Sequence, residues 1–347
     1  MYFTNYTSRH DLTLTTTPLG CSPNIRTVKN TDEDLSNYPS QGNLALQTAL
    51  AEETGLAPTN ICLGAGIDGL LFSIFGSGLS PGSAVAAPEV TFPKVASIVS
   101  RFGSTLRSAA MKPTLEIDFD GMKCLAKTAN LVYLANPSNP TGIVEKRSEI
   151  RRLCEATDGS VVVDEANGEF DDSQSSLAMV PDLPNLIVLR TFSKAYGLAS
   201  LRIGYCAAQE QTIAQLVARA PRFAVSGPSA KMALIGLADK AHIQRTVAHV
   251  RKQTRALITA LRSRGVWCSA STANCFVMHL PARVGHGVDF LTFCATNGIS
   301  LVSGGEFGLS GNHFRIAPQL DEANNALIDA LDAFMRNKHG VIQRSFG

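Results

Sequence analysis

Thr191-Phe192-Ser193-Lys194-Ala195-Tyr196-Gly197-Leu198-Ala199-Ser200-Leu201-Arg202-Ile203-Gly204 is the stretch whose reading decides the fold. It sets a hydroxyl, Ser193, directly before Lys194 among small and apolar neighbours, and Arg202 follows within the same segment. A lysine held in such surroundings loses part of the water that stabilises its ammonium. Its pKa falls, and the free amine can form a Schiff base with an aldehyde. The hydroxyl and the guanidinium suit a bound phosphate. A covalent amine beside two phosphate ligands is the grip that pyridoxal 5′-phosphate (PLP) calls for.

The chain on either side supplies further parts in a consistent order. Ile61 to Phe75 reads as a strand, a Gly64-Ala65-Gly66 turn and a buried helix starting near Asp68. Glycines at such a turn let backbone N–H groups approach an anion, and the helix terminus adds partial positive charge. Gly66 and Ile67 are therefore candidate phosphate donors, although Gly-x-Gly before a helix also occurs as plain turn chemistry. Leu131 to Leu134 reads as a strand that delivers the rigid turn Asn136-Pro137-Ser138-Asn139-Pro140-Thr141-Gly142 at its carboxyl end, where open α/β sheets bind ligands. Val161-Val162-Val163 is an apolar strand ending in Asp164. A carboxylate there can pair with a pyridinium nitrogen and keep it protonated. Glu165 beside it suits a helix start or an ion pair.

The lysine stretch resembles that of the fold-type-I PLP-dependent aminotransferases (class I/II), in particular the histidinol-phosphate aminotransferases. Their pattern is Thr-x-Ser-Lys-Ala-(Phe/Tyr)-Gly-Leu-Ala-Gly-(Leu/Ile)-Arg-x-Gly, from which Ser200 departs. The resemblance implies an α/β fold with a mainly parallel sheet in a large domain and a smaller α+β domain. It also implies that Phe92, in Thr91-Phe92-Pro93, stacks on the cofactor ring, that Asn139 hydrogen-bonds the phenolic oxygen, and that Arg315 binds a substrate carboxylate or phosphate. Tyr38, before the helical pattern Leu44 to Thr54, matches a tyrosine that reaches a neighbouring subunit's phosphate; it reads equally as an ordinary surface residue. A homodimer with shared sites is expected.

Departures bear on the substrate. Threonines stand at Thr15 to Thr17 where the family carries Asn-Glu-Asn, Asn167 stands for a tyrosine, and Ser303 for a second arginine. A phosphate dianion in an enclosed site wants more than one charged partner, so histidinol phosphate is expected not to be the preferred substrate. Lys94 or Arg222 could replace the lost arginine. The expected reaction moves an amino group from an L-amino acid to a 2-oxo acid. The alternative is a PLP-dependent decarboxylase or lyase, since Pro18-Leu19-Gly20 also resembles phosphothreonine decarboxylases.

Bulk properties agree with a metabolic enzyme. The 347 residues exceed a usual single domain, so a large PLP-binding domain over residues 38–241 is expected, with residues 1–37 and 242–347 forming the small domain and an N-terminal arm. Lys and Arg number 31 against 29 Asp and Glu, scattered rather than clustered, which offers no footprint for nucleic acid. The eight cysteines lie singly without Cys-x-x-Cys spacing, so neither a disulfide framework nor a metal site is expected. The polar first residues and the absence of a long apolar run predict a cytoplasmic protein with no membrane segment.

Overall fold

The structure is a computed structural model and describes residues 8–27, 36, 38–39 and 41–344. Its centre is a seven-stranded sheet in the order Ile61–Gly64, Gly204–Ala207, Leu186–Thr191, Ser160–Asp164, Leu131–Ala135, Ala84–Pro88 and Thr105–Ala109. All strands run parallel except Gly204–Ala207, which is antiparallel to both of its neighbours. Helices cover both faces, so the central strands are buried on both sides. That is why they read as unbroken apolar runs, such as Val161-Val162-Val163, rather than as an alternation. The architecture is α/β with a mainly parallel central sheet, as expected from the sequence.

Two separate cores sit on the two faces of this sheet. One gathers Leu46, Leu134, Val163, Val188 and Ala233; the other gathers Leu71, Phe75, Val85, Tyr133 and Leu189. A third core joins Leu12 to residues between Leu257 and Phe334. It lies around a four-stranded antiparallel sheet ordered Val302–Ser303, His313–Ile316, Phe276–His279 and Trp267–Cys268. The N-terminal His10–Asp11 pairs in parallel with Ile299–Ser300 beside it. The helix Lys240–Arg262 lies between the two bodies in sequence and packs its apolar stripe, including Leu257, Ile258 and Leu261, into the third core.

One local expectation is corrected. The helix expected near Asp68 begins at Gly66, whose φ of 68° turns the chain out of the strand. After the lysine turn, Ala199–Leu201 forms a short 3-10 turn, Arg202 takes the left-handed conformation, φ 48°, and the next strand spans Gly204–Ala207. Ile299–Ser300 and Val302–Ser303, one residue apart, belong to different sheets. Beyond Gly204–Ala207 the chain is helical but divided into Glu210–Arg219, Gly227–Ala238 and Lys240–Arg262. Pro221, after the first helix, and Pro228, at the start of the second, suit those breaks because proline lacks the N–H that a helix interior needs.

Candidate active site

Parallel strands present all their carboxyl ends at one edge, and the expected site residues gather there. Ala135 is in register with Asp164, and Asp164 with Leu189. Asn139 follows the first of these strands by a short turn, Asp164 ends the second, and Lys194 follows the third by three residues. A cavity of about 200 Å³ opens at this edge; Ile67, Phe92, Asn139, Asp164, Ser193, Lys194 and Arg202 line it, together with Asp68 and Asn167. Gly66 flanks it. A Cβ there would come within 2.8 Å of an Arg202 guanidinium nitrogen, so only glycine lets that cation lie against the turn.

Each side chain is held by a specific contact. The turn after Leu131–Ala135 is fixed by Asn136, whose Oδ1 accepts from Glu145 N at 2.8 Å while its Nδ2 donates to Glu145 O at 3.2 Å. Asn139 Oδ1 accepts from Arg315 Nη1 at 3.2 Å, which leaves its NH2 end as the donor available to a ligand. Asp164 is buried; its Oδ2 accepts from Tyr133 Oη at 2.8 Å and its Oδ1 from Ala166 N at 3.0 Å. Burial pushes the Asp164 carboxyl up to about 6, with the Tyr133 hydrogen bond and the nearby Lys194 acting against the rise. Burial also dominates at Lys194, seconded by the positive charge of Arg315, and brings its amine down to about 8.

The neighbouring acid, Glu165, faces the other way. It pairs with buried Arg190 at 2.7 Å and accepts from Ser175 Oγ and Ser176 N. Arg190 also reaches Glu169 at 3.2 Å, so this cluster braces the chain behind Asp164 rather than lining the cavity. Glu165 is thus the ion-pair partner and does not start a helix.

At the phosphate-like end, Ser193 Oγ accepts from Thr191 Oγ1 at 3.0 Å. The helix Gly66–Gly78 has no side-chain cap, so its first N–H groups point outward without a partner of that kind. Arg202 stays half exposed beside Asp68, at 3.5 Å, and Asp68 in turn pairs with Lys94 at 2.6 Å. Lys94 is therefore engaged at this end. Arg222 lies over the Phe223 ring, 5.6 Å from its centre. Ser303 caps the turn that follows it, its Oγ accepting from Gly305 N at 3.3 Å.

Besides Gly66, two expected residues lie outside the cavity lining. Arg315 is buried and meets the site through Asn139; its guanidinium also donates to Thr13 O and lies over Phe307, 5.2 Å from the ring centre. Tyr38 is 78% exposed and stacks on Phe223 of the same chain, centroids 4.6 Å apart. Two contacts were not anticipated from sequence. Tyr133, inside a fully buried strand, spends its hydroxyl on Asp164; the one polar tip in the run Leu-Val-Tyr-Leu is the signal that marks it. Thr15 reaches the lysine amine: Lys194 Nζ donates to Thr15 Oγ1 at 2.5 Å. Asn167 is buried in the lining with its Oδ1 unpaired among the described residues. Among those residues no cluster of acidic, His or Cys side chains could hold a metal ion, and no helix is long and apolar enough to cross a membrane.

Comparison with known proteins places this geometry. The histidinol-phosphate aminotransferase of Symbiobacterium thermophilum is 30% identical over 321 residues, 91% of this chain and 88% of that one. A solved structure of histidinol-phosphate aminotransferase from Sinorhizobium meliloti in complex with pyridoxal-5′-phosphate superposes with a TM-score of 0.87 at 25% identity, covering 95% of this chain and 92% of the other. The L-threonine-O-3-phosphate decarboxylase from Porphyromonas gingivalis superposes at 0.80 with 22% identity over 94% and 99% of the two chains, a likeness of fold alone. The pattern of the family "Aminotransferase class I and II" matches residues 19–331, and with nearly the whole site inside that span this chain belongs to the class I and II aminotransferases.

Proposed function

We propose that this protein moves an amino group from an anionic amino donor to a 2-oxo acid, with PLP seated in the cavity at the sheet edge. PLP is its cofactor, and the donor set fits one. Ser193, Arg202 and the uncapped N–H groups near Gly66 and Ile67 offer hydroxyl, cation and helix-terminus partners for the phosphate. Phe92 offers a ring face, Asn139 an amide donor for the phenolic oxygen, and Asp164 a carboxylate for the ring nitrogen. When bound, the cofactor supplies an aldehyde and an electron-accepting ring. Lys194 supplies the amine that takes that aldehyde and, once released, carries a proton to and from the donor's Cα. An amine brought down to about 8 can serve in both protonation states near neutrality. Asp164 keeps the ring nitrogen protonated, and Tyr133 orients Asp164.

The observation that carries this reading is that Lys194, Asp164 and Asn139, distant in sequence, line one cavity. Arg315 supports an anionic donor, because a guanidinium can grip a carboxylate or phosphate as a fork. The names of the relatives count against the expectation that histidinol phosphate is disfavoured; Ser303, committed to its own turn, counts for it. We infer a two-domain chain divided near residues 38 and 241, supported by the separate cores, and a homodimer in which Tyr38 reaches the partner's phosphate, supported by its exposure. All eight cysteines are free, which supports the reducing cytoplasm.

The test is a single turnover without acceptor. One equivalent of oxo product with no CO2 or ammonia is the expected result; release of CO2 or ammonia would replace amino transfer by decarboxylation or elimination. Borohydride should fix the cofactor on the peptide containing Lys194. Relative kcat/KM for histidinol phosphate and a panel of L-amino acids then assigns the donor.

A further inference from the structure

We propose that the Thr15 hydroxyl is the resting place of the Lys194 amine, making Thr15 a positioning residue that holds Nζ whenever the amine is not bonded to another molecule. The inference rests on Lys194 being the reactive amine proposed above. Its basis is the 2.5 Å contact from Lys194 Nζ to Thr15 Oγ1, across 179 residues of sequence.

Three observations keep that hydroxyl in place. Thr13, Thr15 and Thr17 are buried while Leu14 is 45% exposed, an alternation of the kind an extended chain gives when one side faces inward. The segment is tied from outside: Arg315 donates to Thr13 O, Asn274 Nδ2 to Thr15 O at 2.8 Å, and Gln319 Nε2 to Leu14 O at 3.3 Å. Its far end lies against the lysine turn itself, for a Cβ on Gly197 would fall 2.4 Å from Gly20 O. The side chain facing Nζ is thus fixed by backbone ties on both sides.

A hydroxyl is suited to this duty in a way neither a carboxylate nor a methyl is. It accepts from the ammonium and donates to the lone pair of the neutral amine, so it holds both forms, and because the bond to the ammonium is charge-assisted it favours the protonated one modestly. Among the described residues no carboxylate pairs with Nζ. The charged and titratable groups around it are Arg315 and Arg202, which oppose its protonation, and Asp164 and Cys275, which favour it.

The test reads Lys194 ionisation in the full-length chain freed of cofactor, as the pH dependence of its acylation followed by peptide mass spectrometry. Thr15→Val and Thr15→Ala remove the acceptor, so the midpoint should fall by about one pH unit. In the reconstituted enzyme kcat should fall about tenfold with KM for the donor unchanged. Thr15→Ser should restore both, and Thr13→Val, on the same segment with its hydroxyl turned to Asp11, should move neither. An unchanged midpoint in folded Thr15→Ala, or an equal shift in Thr13→Val, overturns the proposal; should Thr15→Val not fold, Thr15→Ala decides. If the reactive amine lies elsewhere, borohydride fixes the cofactor on another peptide, an outcome separate from the midpoint.

Discussion

The carboxyl edge of the large sheet and the threonine segment Thr13 to Thr17 meet at Lys194, and they are built by opposite means. At the edge, ladder hydrogen bonds set backbone register, and register alone brings Ala135, Asp164 and Leu189 side by side. The threonine segment lies in no strand; it is positioned by side chains of Arg315, Asn274 and Gln319. Atoms that must not move sit on the first kind of support. Contacts that could be exchanged as ligands come and go sit on the second, since a side-chain tie costs only about 0.5–1.5 kcal/mol to release.

Substitutions can break this contrast or sharpen it. Lys194→Ala, at the edge, should lower turnover by about 10⁴-fold while the protein stays folded; residual turnover within a hundredfold of wild type in a steady-state assay would deny the lysine its role. Arg190→Met should destabilise the protein by about 3–5 kcal/mol in denaturant titration, because it leaves Glu165 and Glu169 buried without their cation. A loss below about 1 kcal/mol would show that the edge does not depend on this brace. Tyr133→Phe should lower kcat about tenfold and raise the Asp164 pKa further, since the lost hydrogen bond acts to lower it.

The sign follows for stability. Asp164 in the folded, cofactor-free chain keeps its proton up to about pH 6, above its ordinary 3.8. Its contribution to stability is complete below 3.8 and is lost as pH rises through 6, a fall of roughly 3 kcal/mol. Tyr133→Phe should extend that fall to higher pH; a denaturation series between pH 4 and 8 that superposes on wild type would contradict the contact. Smallest is Asn274→Ala, which frees the Thr15 carbonyl. It should cost about 1 kcal/mol and raise the donor KM a few-fold.

The same contrast governs what could be read from the chain. Ser193-Lys194, the turn through Asn139 and the strand ending in Asp164 are local patterns, each completed within a few residues, and the cavity gathers all three. The left-handed Arg202 was not legible, because its conformation is forced by packing: Gly66 makes room for its guanidinium and Ala199 O accepts from it at 3.1 Å. Such a conformation for a non-glycine residue costs of order 1–3 kcal/mol and needs surrounding support. Thr15 stands out in the sequence only as a departure from the family's pattern, and nothing near either residue signals its contact with Lys194 across 179 residues. Tyr133 leaves a signal in the sequence, a polar tip inside an apolar strand, but its partner Asp164 lies on the neighbouring strand.

The threonine segment also sets an order of events during synthesis. Its three anchors, Asn274, Arg315 and Gln319, leave the ribosome when most of the chain has already emerged; the Arg315 contact alone spans 302 residues. Contacts of such separation form late, after the loop between them has been closed by other structure. A stretch translated long before its anchors is therefore among the last to dock. A nascent chain can complete its large sheet and its lysine turn while the amine still faces open water.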